Sequence, residues 1–210
     1  MDSLSKVISN HEEFLSETPD GKYSELDNGQ SPEILFITCS DSRVCPSIYT
    51  KTEPGDLFVI RNAGNIVPSK DAEAKADLGT IQFAVDVLGV KDIVVCGHTD
   101  CGAVKGLLAP DSVESLQQLK EWLCACPSTE GLNSEKSLLE NVQTHALNQL
   151  ESLKTLEFVQ EKLAAGQLRL HAWVLDLGKQ RLSTCDLETG EWQSLVPGDG
   201  TPTRGGEASA

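Results

Sequence analysis

The sequence predicts an α/β protein: a central, mainly parallel β-sheet flanked by helices, with an antiparallel edge hairpin and a protruding N-terminal helix. Two observations predict this class. Short runs rich in β-branched residues alternate with longer segments of helical periodicity, and the last two β-like segments are separated by only a short turn. Alternation of this kind favours parallel strands, because two parallel strands need a long connection between them.

Each element follows from local sequence. The predicted strands are short, apolar runs, and they lie at 34–38, 57–60, 93–96, 168–175 and 180–187. The predicted helices place apolar residues near helical spacing, and they lie at 3–16, 72–88, 103–108, 113–124 and 137–165. Gly89 follows the second of these helices, where glycine commonly ends a helix.

The chain has 210 residues, which suits one domain with a sizeable core. We expect residues 1–196 to form that single domain, with residues 1–18 as an N-terminal docking helix. Residues 197–210 are rich in Gly, Pro, Thr and Ser, and we expect them to be a disordered tail.

Composition excludes several classes of partner. The formal net charge is -15, which argues against nucleic acid or an anionic membrane as the main partner because both require basic surface. No segment approaches the ~20 apolar residues that a membrane span requires. The N-terminus lacks the pattern of a signal peptide, and seven irregularly spaced cysteines favour a reducing compartment. We therefore expect a protein of the cytoplasm or of another reducing intracellular compartment.

Two short segments concentrate the chemistry. Residues 39–43, Cys-Ser-Asp-Ser-Arg, follow the apolar run at 34–38, and residues 98–102, His-Thr-Asp-Cys-Gly, follow the run at 93–96. Open α/β sheets place their functional groups in the loops at strand ends, so residues far apart in sequence can meet there.

The two segments offer the ligands that zinc prefers. Cys39, His98 and Cys101 supply two thiols and an imidazole, and they leave a fourth position for water or for Asp41. A closed set of four ligands is typical of a structural site, whereas an open position is typical of a catalytic one. We interpret the chain as a mononuclear zinc enzyme in which Asp41 pairs with Arg43.

Either segment alone is weak evidence, because free cysteines are most often buried core thiols and a lone histidine is more often structural than a ligand. Both segments at strand ends, with a glycine directly after the second cysteine, favour a metal site over that simpler interpretation.

Three longer motifs carry a family resemblance. Residues 39–44 (Cys-Ser-Asp-Ser-Arg-Val), 54–65 (Pro-Gly-Asp-Leu-Phe-Val-Ile-Arg-Asn-Ala-Gly-Asn) and 96–103 (Cys-Gly-His-Thr-Asp-Cys-Gly-Ala) resemble the signature of the β-class carbonic anhydrases. The strong motifs cover roughly residues 30–108. The resemblance implies that residues 1–196 form a single β-carbonic-anhydrase-like zinc domain.

The resemblance also implies roles for single residues. It implies one Zn²⁺ per subunit held by Cys39, His98 and Cys101, with Asp41 as a possible fourth ligand in a closed state. It implies that Asp41 and Arg43 form a catalytic dyad. The residues that it implies for substrate binding are Gln30, Phe58 and Gly102, the last through its backbone N–H.

The implied reaction is the reversible hydration of carbon dioxide to bicarbonate and a proton by zinc-bound hydroxide, assisted by the dyad. The implied assembly is a homo-oligomer, a dimer at least, in which the N-terminal helix packs on the neighbour and the partner subunit completes the pocket wall. Two alternatives stay open: a hydrolase of carbonyl sulfide or carbon disulfide on the same fold, and a non-catalytic zinc module.

Overall fold

The computed structural model describes residues 2–196. The predicted disordered tail at 197–210 lies outside the described residues. The chain divides into two compact units, of which the first ends at Ser31 and the second begins at Pro32. The assignment of residues 1–196 to one domain stays a prediction.

The N-terminal unit is built around helix α1 (Ser3–Glu17). Asp2 caps its start by accepting a hydrogen bond from the backbone N–H of Ser5 at 3.0 Å, which satisfies a donor that has no partner within the helix. No residue of α1 is buried. Its apolar side chains are instead exposed, namely Leu4, Val7, Ile8, Phe14 and Leu15.

The second unit holds all the described strands and the remaining α-helices. The strands are β1 (Ile34–Cys39), β2 (Leu57–Asn62), β3 (Asp92–His98), β4 (Arg169–Asp176), β5 (Arg181–Cys185) and β6 (Trp192–Ser194). The helices are α2 (Pro46–Thr50), α3 (Lys75–Gln82), α4 (Gly102–Leu108), α5 (Gln117–Cys124), α6 (Leu138–Lys154) and α7 (Glu157–Ala164). No helix in the described part of the chain is long and apolar enough to cross a membrane.

The strands form one sheet in the order β2-β1-β3-β4-β5-β6. The first four strands are parallel, and β5 and β6 continue the sheet in antiparallel fashion, which confirms the predicted α/β class. The predicted antiparallel hairpin is formed by β4 and β5, and β6 extends it to a three-stranded meander. The sequence did not predict β6, because this strand has only three residues and too little apolar pattern to be recognised. The carboxyl ends of β1 and β3 meet at one edge of the sheet, which positions the site.

Helices cover the sheet because alternate strand residues face opposite sides. Leu35 and Ile37 of β1 pack into a cluster that includes α3, α6 and α7, whereas Phe36 packs on the other face against Tyr49 and Trp173. Each such side chain contributes about 1.5–3 kcal/mol through burial. The sheet is therefore a rigid base for the loops at its carboxyl edge.

Three predicted helices differ from the observed ones. The helix predicted at 113–124 is α5, which begins only at Gln117. The single helix predicted at 137–165 is two helices, α6 and α7, because the backbone is extended at Leu156. This break lets Leu153, Leu156 and Val159 all reach the core. The helix predicted at 72–88 begins only at Lys75 and ends as a π-helical segment over Phe83–Leu88.

Candidate metal centre

Three elements bring the predicted ligands together. Cys39 is the last residue of β1, His98 is the last residue of β3, and Cys101 directly precedes α4. Their exposed fractions are 6%, 0% and 1%. The three ligand atoms all lie within 4.8 Å of one another. Residues separated by about 60 positions thus form one compact donor set, as the sequence predicts.

The orientation of His98 leaves one ring nitrogen available. Its Nδ1 lies 2.8 Å from the carbonyl oxygen of Thr99, which can only accept, so Nδ1 carries the proton. The lone pair is then on Nε2, which is buried and has no hydrogen-bond partner among residues 2–196. Unpaired buried polar atoms are costly. A metal cation at this position would satisfy the nitrogen, so the residues present fit zinc.

The two thiols interact, and each shifts the pKa of the other. A hydrogen bond from the thiol of Cys101 lowers the pKa of Cys39 to about 4, with further contributions from His98 and the backbone N–H of Gly64. The same hydrogen bond raises the pKa of Cys101, because its ionisation would place a second negative charge beside the first. A divalent cation relieves this repulsion, so the pair is suited to metal binding.

Asp41 and Arg43 form a two-point ion pair. Arg43 donates from Nε to Oδ1 of Asp41 at 2.9 Å and from Nη2 to Oδ2 at 2.7 Å, and its backbone N–H donates to Oδ1 as well. These bonds hold the pKa of Asp41 well below its usual range. Oδ2 of Asp41 lies 3.9 Å from Nε2 of His98, which places an ionised carboxylate beside the ligand set.

Arg43 also contacts a second acid. Its Nη1 donates to Oδ2 of Asp100 at 3.0 Å, and Asp100 in turn pairs with Lys105. The side chains of these three residues are each about half exposed, with exposed fractions of 50%, 52% and 53%. Solvent screens such pairs, so we expect them to contribute little to the stability of the fold.

Arg61 is a site residue that the sequence did not single out. Its Nε donates to the carbonyl oxygen of Cys39 at 3.2 Å, and its Nη2 donates to that of Asp41 at 2.8 Å. These bonds fix the backbone that carries a ligand and the carboxylate. The available clue was position, since Arg61 is near the end of the strand paired with β1.

The predicted substrate-binding residues are not all at this edge. Gly102 is the first residue of α4 and follows Cys101 directly. Phe58 is four residues before the end of β2 and pairs with Leu35 of β1. Phe58 is therefore about 13 Å from Cys39 along the strand direction. Gln30 is exposed and belongs to the N-terminal unit. The roles of these three residues stay predictions.

Comparisons with known proteins agree on one family. The model of the family described as carbonic anhydrase matches residues 34–182. A carbonic anhydrase of Pseudomonas aeruginosa is 38% identical over 88% of this chain and 87% of its own length. A carbonic anhydrase of Synechocystis sp. is 40% identical, and the match covers 72% of this chain and 59% of that longer protein.

Solved structures give the class. The β-carbonic anhydrase CcaA superimposes with a TM-score of 0.83 at 33% identity, covering 92% of this chain and all of that one. A tetrameric β-carbonic anhydrase from Sordaria macrospora gives 0.69 at 27% identity, over 89% of this chain and 98% of that chain. This chain belongs to the β class of the carbonic anhydrase family.

Proposed function

We propose that the protein catalyses the reversible hydration of carbon dioxide to bicarbonate and a proton, with one zinc ion per subunit held by Cys39, His98 and Cys101. One observation carries the proposal: an ionised, oriented carboxylate lies beside a three-ligand set whose buried imidazole nitrogen is unpaired. A structural zinc site is closed by a fourth protein ligand, whereas both oxygens of this carboxylate accept hydrogen bonds from Arg43, which favours an open fourth position.

Bound zinc would supply the Lewis acid that makes hydroxide available from water near neutral pH. The protein supplies the orientation. Asp41 stays ionised because Arg43 holds both of its oxygens, so it accepts a hydrogen bond from the attacking oxygen and does not store the proton. The attacking lone pair is thereby directed at the carbon of carbon dioxide, and the released proton passes to solvent.

We further propose that Gly102, Gln30 and Phe58 bind the substrate. The first backbone N–H groups of a helix have no acceptor within it, so the N–H of Gly102 is free to bind a substrate oxygen directly beside Cys101. Phe58 is separated from the Cys39 of its own chain by about 13 Å of strand. We therefore assign Phe58 to the pocket wall of a neighbouring subunit.

That assignment requires a homo-oligomer, a dimer at least. Two features support it. The apolar side chains of α1 are exposed, and β2 is an edge strand whose residue Val59 is exposed. Exposed edge strands are templates for pairing with another chain. The solved relative from Sordaria macrospora is tetrameric.

We also propose a reducing intracellular compartment, the cytoplasm. All seven cysteines are free thiols in the structure, and four of them, including two of the proposed zinc ligands, are buried. Oxidation of Cys39 or Cys101 would remove a ligand, so a reducing environment protects the centre.

The substitution Asp41→Asn tests the proposed mechanism. The amide keeps the size of the side chain but loses its charge and one acceptor, so we expect zinc to be retained and kcat for hydration to fall at least about 10²-fold. Stopped-flow hydration assays, with zinc content measured on the same sample, give the result.

The matched control is Asp100→Asn, which removes the other acid that contacts Arg43. We expect it to lose far less activity, because the side chain of Asp100 is about half exposed and is paired with Arg43 and Lys105. Full activity in Asp41→Asn would refute the role of Asp41. Turnover of carbon disulfide in preference to carbon dioxide by the unsubstituted protein would favour the alternative hydrolase.

A further inference from the structure

The loop between β2 and α3 lies directly against a predicted zinc ligand. The backbone N–H of Gly64 lies 3.4 Å from Sγ of Cys39 and donates a hydrogen bond to it. Residues 64–68 of this loop are buried, although they belong to no helix or strand. Outer hydrogen bonds of this kind orient the ligands of a metal, and their loss commonly weakens metal binding, so the position of this N–H bears on metal binding.

The indole of Trp122 binds the other end of the same peptide group. Nε1 of Trp122, on α5, donates to the carbonyl oxygen of Ala63 at 2.7 Å. That carbonyl belongs to the peptide bond whose N–H is on Gly64. A donor at the oxygen polarises the amide and strengthens the hydrogen bond from its N–H. Trp122 therefore acts on Cys39 through one peptide group without touching it.

A second contact comes from α6. Nε2 of His145 lies 2.8 Å from the carbonyl oxygen of Gly64, which can only accept, so Nε2 carries the proton. Gln149 completes the arrangement: its Nε2 lies 3.4 Å from Nδ1 of His145, and its Oε1 accepts from the N–H of Val67 at 2.9 Å. Both side chains are fully buried.

We infer that Trp122 and His145 are positioning residues that aim the Gly64 N–H at the Cys39 sulfur and so strengthen and tune metal binding at the centre. Neither side chain is a ligand, and each is on a helix that supplies no ligand. The inference rests on the zinc site of the proposed function, but it concerns metal affinity and needs no turnover of carbon dioxide.

The first test compares Trp122→Phe with Trp173→Phe. Trp173 is a matched control, because it is on β4 and packs against Phe36 in the cluster on the other face of the sheet. We expect Trp122→Phe to weaken zinc binding about 10-fold in a chelator competition, as loss of such supporting contacts commonly does, and Trp173→Phe to leave it unchanged. With cobalt(II) in place of zinc, Trp122→Phe should also shift the thiolate-to-metal charge-transfer band.

The second test separates the hydrogen bond of His145 from its packing. His145→Gln keeps an amide donor that can reach Gly64, whereas His145→Leu keeps volume and loses the donor. We expect zinc affinity to decrease from the native protein to His145→Gln to His145→Leu. Should His145→Leu fail to fold, the comparison of Trp122→Phe with Trp173→Phe decides alone.

The inference fails if Trp122→Phe binds zinc with native affinity and shows the native cobalt spectrum, or if Trp173→Phe weakens binding as much. Either result would leave the proposed function intact. Failure of the unsubstituted protein to bind zinc at all would instead contradict the proposed function itself, so the two outcomes are distinguishable.

Discussion

Replacing Gly64 by alanine would test how tightly the loop is fitted between the two ligand-bearing segments. Gly64 has a φ of 86°, a conformation that L-residues rarely adopt. A Cβ built on Gly64 would lie only 2.7 Å from Cβ of Ala103. Ala103 is the second residue of α4, so the methyl group would push against the segment that begins at Cys101.

The expected cost has two parts. An alanine in the left-handed conformation costs about 1–2 kcal/mol. Forcing an extra carbon into a packed site costs about a further 1–3 kcal/mol, because neither Cβ can rotate away and the backbone must move. Gly64→Ala should therefore destabilise the folded protein by about 2–5 kcal/mol. It should also weaken zinc binding, since moving Gly64 breaks its hydrogen bond to Cys39.

Two further variants isolate the collision. Gly89 also has a positive φ, of 68°, but a Cβ there meets nothing within 4 Å, so Gly89→Ala should cost only about 1–2 kcal/mol. Adding Ala103→Gly to Gly64→Ala removes one of the two colliding carbons and should recover part of the loss in a double-mutant cycle. Urea unfolding of the native protein, Gly89→Ala, Gly64→Ala, Ala103→Gly and the double variant measures this. If the alanine variants of Gly64 and Gly89 lose equal free energy of unfolding, and Ala103→Gly restores none of it, the close packing of Gly64 against Ala103 would be refuted.

Two further predictions concern ionisation. In the metal-free protein, Cys39 should be a thiolate at neutral pH, with ultraviolet thiolate absorbance that is lost as the pH falls through about 4 and is absent from Cys39→Ser; absorbance that appears only above about pH 8 would contradict the lowered pKa. Asp92, paired with Arg169 and His171, has a lowered pKa, so its stabilisation is present above the unfolded value of about 4 and is lost as the pH falls. Asp92→Asn should therefore destabilise the protein at pH 7 and matter less near pH 3, and an equal effect at both values would contradict this.

Contacts that are local in sequence, or that follow from the ends of neighbouring parallel strands, were predictable, whereas long-range contacts between loops and helices were not. The Asp41–Arg43 pair was predictable because both residues lie in the segment 39–43, and a donor two residues from a carboxylate can reach it directly. The convergence of the ligands followed from a general property of parallel sheets.

The contacts that support the loop between β2 and α3 could not be predicted from local sequence or from strand order. The contacts of Trp122 and His145 join residues 59 and 81 positions apart, and neither residue stands out by its neighbours in sequence. The break between α6 and α7 was missed for the same reason, since no glycine or proline marks it and the burial of Leu156 decides it. Tertiary packing overrides the local pattern at these positions.

The same geometry constrains how the centre would close. Asp41 as a fourth ligand stays a prediction, and in the structure both of its oxygens are held by Arg43. Oδ2 accepts one hydrogen bond, from Nη2 of Arg43, so it keeps a lone pair for a metal, but any shift of Asp41 towards a metal works against charge-assisted hydrogen bonds, which are among the stronger kinds in proteins. Protonation of Asp41 does not provide the trigger near neutral pH, because its pKa lies well below that range. A pH-dependent closure must therefore begin with a change in the fourth ligand of the bound metal, the water or hydroxide that competes with Asp41 for that position. Asp41 would then replace the lost ligand.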